Sequence, residues 1–132
     1  MLKLDDRNKA LSKYRIQEAE DSLKVSEFCL NNELYKDSIN RSYYAAFYCV
    51  KAILALTTTD FKRHKDVMAY FNKTYVATGI FPKALGKRLG KIQKIREISD
   101  YDDFFLASRE QAQEQYETAQ ELLKSVKLYI CQ

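Results

Sequence analysis

The sequence predicts an all-α protein, an antiparallel up-and-down helical bundle of about five helices in one domain over residues 1–132. Three observations carry this expectation. The 132 residues include only 3 Gly and 1 Pro, which leaves little material for hairpin turns and favours long helices with short connections. Apolar residues recur three and four apart along most of the chain, the repeat of one helix face. Long stripes of this kind lie at both ends, so two outer helices frame three between them. With 46% apolar and 30% charged residues, the composition suits a globular protein, and the length allows one core rather than two.

The first helix is expected from about Asp6 to Asn31, on the stripe Ile16, Ala19, Leu23, Ser26, Leu30. Asn31-Asn32 is its stop, because Asn tolerates the left-handed cap. The second runs from about Asp37 to Leu56, with Asp37 or Ser38 accepting hydrogen bonds from the free N–H groups of its first turn. From Tyr43 onward it is apolar on nearly every side, so it should be central. Ala45, Ala46, Ala52 and Ala55 favour helix over strand there. The third is expected over about Phe61–Ala77, with His64, Met68, Phe71 and Tyr75 on one face and Gly79 as the C-terminal cap. The fourth starts near Pro82 and ends near Ser99. Gly86 and Gly90 share a face of it, and each costs about 1 kcal/mol against Ala, so both imply close approach of a neighbouring backbone. The fifth runs from Ser108 to about Tyr129. Ser108 and Gln111 fit a capping box, and Ala112, Tyr116, Ala119, Leu123, Val126 and Ile130 form its stripe.

The most apolar run, Tyr43 to Leu56, is too short for a membrane span of roughly 20 residues and contains Lys51. The opening MLKLDDRNKA lacks the charged-then-apolar pattern of a leader. The 3 Cys are scattered, without CxxC spacing. Cys29 and Cys49 read as buried thiols, so a cytoplasmic location is expected. One His cannot supply a zinc site. There is no Gly-rich phosphate loop and no Ser flanked by glycines. Neither a metal nor a cofactor is expected.

The net charge of +4 conceals an asymmetry. Between Phe61 and Arg96 stand ten Lys or Arg against one acid, Asp66, a balance of +9, while the remainder carries −5. Such patterning suits phosphate, nucleic acid or an acidic partner chain. Lys83, Lys87, Lys91 and Lys94 line one side of the fourth helix with Arg88 beside them, and no acid occurs from Lys83 to Arg96. Like charges four apart repel by a few tenths of a kcal/mol per pair. A solvated face and a phosphate-binding row both remain open.

Six other positions are candidates. Arg96 continues the apolar stripe Leu85, Leu89, Ile92 and can pair with Asp100 one turn on, yet an exposed pair of this kind is worth only a few tenths of a kcal/mol. On an apolar side the arginine could instead face its own copy across a two-fold axis. His64 is the side chain whose ordinary pKa lies near neutrality, although on its stripe a packed or locally hydrogen-bonded ring is expected before a chemical role. Arg41 can pair with an acid of the first helix or join a binding set. Tyr43, Tyr44 and Tyr48 can stack on a base, or serve as core with the hydroxyl in water.

The blocks NRSYYAAFYCVKAIL, KRHKDVMAYFNKTYVATGIFPKALGKRL and KIREISDYDDF, in this order, resemble the HEPN domain family of prokaryotes, especially its small free-standing members. The resemblance spans about Ser12 to Leu123. It implies a helical bundle, a homodimer and a cytoplasmic role around RNA or nucleotides. Many such domains are metal-independent endoribonuclease toxins acting beside a small nucleotidyltransferase-like antitoxin. Their ribonuclease motif is an Arg, four to six residues, then a His. Here the Arg matches Arg96, but five residues on stands Tyr101, followed by Asp102 and Asp103. The family's Tyr-Ala-x-Phe-His segment reads Tyr44-Ala45-Ala46-Phe47-Tyr48, so that His is also absent. His64 matches a His common in another block of the family. Cleavage through a 2′-hydroxyl needs a proton acceptor and donor near pH 7, for which Tyr, with an ordinary pKa of about 10, is poorly suited.

The expectation is therefore a dimeric protein that binds nucleotide or RNA phosphate within a toxin–antitoxin or defence pair. Arg96 is its anchor, Lys87, Lys91, Lys94 and Arg41 its supporting charges, and Tyr101 a stacking or hydrogen-bonding group. The alternatives are a ribonuclease toxin that uses Arg96 with Tyr101 or His64, and a non-catalytic module whose basic face docks an acidic protein.

Overall fold

A computed structural model describes residues 4–131, so the first three residues of the opening stretch and Gln132, at the ends of the expected domain, lie outside the described residues. Among the described residues there are five α-helices and no strand: α1 Leu4–Asn31, α2 Tyr35–Leu56, α3 His64–Phe71, α4 Lys83–Tyr101 and α5 Arg109–Ile130. The expected all-α bundle is what forms. No helix is long and apolar enough to cross a membrane.

Cross-helix bonds give the directions. Ser12 Oγ donates to the Ala52 carbonyl at 2.7 Å and Ser26 Oγ to the Ser38 carbonyl at 3.0 Å, so α1 and α2 run antiparallel. Lys127 pairs with Glu20, and Tyr116 donates to Glu27, which makes α5 antiparallel to α1. Arg88 with Glu121 and Lys91 with Glu114 make α4 antiparallel to α5. The central helix is α2: it packs against α1, α3, α4 and α5, and Tyr43, Val50, Ile53 and Leu54 are fully buried along it. Each such side chain contributes about 1.5–3 kcal/mol relative to exposure.

The α1–α2 turn differs from expectation. Glu33, not Asn31 or Asn32, takes the left-handed backbone (φ 64°). Asn32 instead donates its side-chain amide to the Phe28 carbonyl at 2.8 Å, and the Leu34 N–H closes the turn on Cys29 O at 2.8 Å. Neither Asp37 nor Ser38 caps α2, which begins at Tyr35 without a side-chain cap. Ser38 is buried, and its hydroxyl donates to the Ser26 carbonyl at 3.0 Å. The serine was required between helices rather than at a helix end.

The third helix starts at His64 instead of Phe61, because Asp60 holds Lys51 at 2.5 Å and accepts from the Phe61 N–H at 2.8 Å. Past Phe71 it widens into a π-helical turn, Asn72–Val76, closed by Ala77 N–H to Asn72 O at 2.8 Å. Gly79 follows with φ 85°, as the cap requires. The two glycines of α4 prove different. A methyl on Gly86 would stand 2.5 Å from Val76 Cγ1, so the close neighbour is a side chain, while Gly90 has nothing within 4 Å. The helix extends to Tyr101, two residues beyond the expected end. In α5 the capping box of Ser108 and Gln111 is complete, and its expected stripe is buried from Ala112 to Val126. Cys29 and Cys49 are buried free thiols and Cys131 is an exposed one.

Candidate functional site

On α4 the side chains of Leu85, Leu89 and Ile92 enter the core, and the next turn places Arg96 over α2. Its guanidinium carbon lies 4.8 Å from the Tyr43 ring centre and 5.6 Å from that of Tyr44. Nη2 donates to the Tyr44 hydroxyl at 3.4 Å. Nε stands 2.9 Å from Asp100 Oδ2, as the four-residue spacing predicted, but this buried N–H is not aimed well enough to make a hydrogen bond. Distance and charge hold the pair, not direction. Cation–π contact with two rings is worth about 0.5–2 kcal/mol. It explains how an arginine follows an apolar stripe: its guanidinium lies against two tyrosine rings while 21% of the side chain stays open.

The Tyr43 hydroxyl continues the cluster to α3, where His64 Nδ1 lies 3.2 Å from it. The His64 ring stacks on Phe47 with centres 4.0 Å apart and meets Tyr44 edge-on at 6.1 Å. Burial, then the charges of Arg96 and Lys51, hold the imidazole below its usual 6.5, so it is neutral at pH 7. Burial pushes the Tyr43 phenol up to about 12, against the opposing pull of Arg96. A neutral imidazole beside a protonated phenol has two arrangements. Tyr43 can donate to Nδ1, or Nδ1–H can donate to the phenol oxygen and leave Nε2 as a proton acceptor.

Arg96 and His64 stand 32 positions apart, and no local spacing brings them together. Tyr43 joins them. A signal existed: Tyr43 and Phe47 are four apart on the helix predicted to be central, so whatever packs on α2 from α3 and α4 meets the same rings.

The other candidates lie elsewhere. Tyr101 is 83% exposed at the end of α4 and takes no part in the Arg96 cluster. The basic row is divided. Lys91 pairs with Glu114 at 2.6 Å and Arg88 pairs with Glu121. The counter-charges missing from the fourth helix are thus supplied by α5, which local spacing could not show. Lys87 and Lys94 are exposed, with no ion pair among the described residues. Arg41 is exposed too, and the pairing considered for it with an acid of α1 is not made among the described residues. Among the described residues no group of three or more His, Cys, Asp or Glu is placed to hold a metal ion.

A sequence model of the HEPN domain matches residues 12–129. The chain belongs to the HEPN domain family. Its relatives include a Methanocaldococcus jannaschii protein named "Putative toxin MJ0142", 31% identical over 115 residues, 87% of this chain and 78% of that one. A UPF0332 protein of Thermotoga maritima is 29% identical over 127 residues, 96% of both chains. A second M. jannaschii protein, "Putative toxin MJ0605", is 31% identical over 86 residues, 65% of this chain and 64% of that one. The span matched to the HEPN domain contains α2, α3 and α4, which supply the cluster, and the part of α1 that buttresses α2 through Ser12 and Ser26.

Proposed function

We propose that this HEPN domain is a toxin-like member of a two-component system and binds nucleotide or RNA phosphate at Arg96. The observation that carries the reading is the state of that guanidinium: held against the rings of Tyr43 and Tyr44, paired with Asp100, and still partly open to solvent. A planar fork held this way presents its remaining N–H groups to a phosphate with little loss of side-chain entropy. Lys87 and Lys94, unpaired on the same helix, add attraction. Relatives that carry a toxin name support the system, and the family resemblance supports a nucleotidyltransferase-like partner. Exposed Ile98, Tyr101, Phe104 and Leu106 follow Arg96 in sequence and suit a homodimer contact, with Tyr101 at the interface instead of on the phosphate.

One observation favours a second reading, that of a metal-independent endoribonuclease: a neutral His64 shares Tyr43 with Arg96. In that reaction Nε2 accepts the 2′-hydroxyl proton and Arg96 steadies the charge developing on the phosphate. The deciding experiment measures binding and cleavage of a labelled RNA by wild type, Arg96→Ala and His64→Gln. Phosphate binding predicts a steep salt dependence and at least tenfold weaker binding by Arg96→Ala. Equal binding by that variant overturns it. Cleavage that vanishes in both variants selects the ribonuclease. No binding of any RNA or nucleotide at low salt leaves the protein-docking module.

A further inference from the structure

His64 has a second side. Away from Tyr43 it forms part of the wall of a cavity of about 380 Å³ between α1, α2 and the segment leading into α3. Small-ligand sites run from roughly 300 to 1,000 Å³. Inorganic phosphate would leave most of this space empty. Tyr48 from α2 and Phe61 from the connecting segment supply aromatic wall. Phe61 is steadied by Tyr70, with ring centres 5.3 Å apart. Three cations line the cavity, Arg15, Lys51 and Lys62, against one acid, Glu18. Lys51 is already held by Asp60 at 2.5 Å. Arg15 and Lys62 make no ion pair among the described residues.

Aromatic wall together with uncommitted cations, in a space larger than an anion, is the chemistry that takes a base and its phosphate together. We infer that this cavity is a nucleotide subsite, in which a base lies against Phe61 and Tyr48 while its phosphate meets Arg15 and Lys62. The ligand is a nucleoside phosphate, either free or one unit of a single strand. His64 is the shared wall between this subsite and the Arg96 cluster, so a strand with one phosphate on Arg96 can place a neighbouring unit here. That continuity rests on the phosphate-binding reading of Arg96. The cavity itself does not.

Because His64 is the one histidine of the chain, its two carbon-bound ring protons give NMR signals that no other imidazole overlaps. The full chain is titrated at low salt with inorganic phosphate, AMP, UMP and an eight-residue oligouridylate. Wild type is compared with Arg15→Glu/Lys62→Glu, with the milder Lys62→Ala, and with Arg96→Ala. In Arg96→Ala, which lacks the phosphate anchor of the proposed function, the expected result is a His64 shift with AMP or UMP but not with phosphate. The double variant weakens binding at least tenfold and Lys62→Ala about threefold, with melting temperatures checked for both, and Arg96→Ala keeps the mononucleotide shift. A shift with mononucleotides identifies a free ligand, and one with the oligonucleotide alone identifies a strand; either supports the subsite. Three results overturn it: phosphate binding to Arg96→Ala as well as AMP, folded Lys62→Ala and double variants that bind like wild type, or no probe binding at all. If the charge variants are silent while Arg96→Ala loses the oligonucleotide, the subsite falls and the Arg96 reading stands. If Arg96→Ala binds everything normally and the charge variants do not, the reverse holds.

Discussion

Two polar clusters interrupt the apolar interior, and they are built in opposite ways. Between α1 and α2, Ser26 Oγ lies 2.7 Å from Ser42 Oγ and 3.0 Å from Ser38 Oγ, and Ser26 and Ser38 each donate to the other's carbonyl at 3.0 Å. All three are buried, and their bonds are made within the cluster. Small hydroxyls let the helices approach closely while leaving nothing unpaired. Between α2, α3 and α4, the Arg96–Tyr43–His64 cluster is partly open, long in its bonds, and includes a buried Arg96 Nε without a hydrogen bond. A closed network serves packing. An open one retains donors and acceptors for something that is not part of the chain.

Substitutions should separate the two. The largest loss is expected from Ser26→Val, which adds volume between α1 and α2 and takes the Ser26 hydroxyl from the Ser42 hydroxyl and the Ser38 carbonyl: about 3 kcal/mol by chemical denaturation, with RNA binding unchanged in the folded fraction. A loss under 1 kcal/mol would break the contrast. Gly86→Ala should cost about 1–3 kcal/mol, because Val76 is buried and cannot yield easily. Gly90→Ala, with open space, should stabilise by about 0.5–1 kcal/mol.

Arg96→Ala is expected to cost no more than about 2 kcal/mol of stability while abolishing most phosphate binding, the signature of an open cluster. It should also raise the His64 pKa toward 6.5, because the second cause of its depression is removed, and an NMR titration of the single histidine measures this. The pH dependence sharpens the same point. His64 is held below 6.5 in the folded state, so below pH 6.5 the unfolded chain binds the proton more readily. Stability should be flat above about pH 7 and fall as the pH drops through 6.5, and His64→Gln should remove that part of the slope in melting curves. The smallest effect belongs to Lys91→Ala, whose pair with Glu114 is half exposed: under about 0.5 kcal/mol.

Much of the bundle was legible locally. The capping box at Ser108 and the left-handed Gly79 follow from residue type within a few positions. Misreadings came where a residue with two uses was assigned the local one. Ser38 looked like a helix cap and became an interhelical bond. The lysine row looked uncompensated because its acids, Glu114 and Glu121, belong to another helix. The π-helical turn at Asn72–Val76 left no periodic sign.

The candidate site divides in the same way. The sequence by itself determined that Arg96 is anomalous on its stripe, that Asp100 lies within reach, and that aromatic residues crowd α2, because helical spacing fixes what stands three or four positions away. Only the tertiary structure decided that His64 and Arg96 meet on Tyr43, that Tyr101 points elsewhere, and that Arg88 and Lys91 of the basic row are spent on α5. Contacts between α2, α3 and α4 depend on how the helices pack, and no periodicity within one helix contains that information.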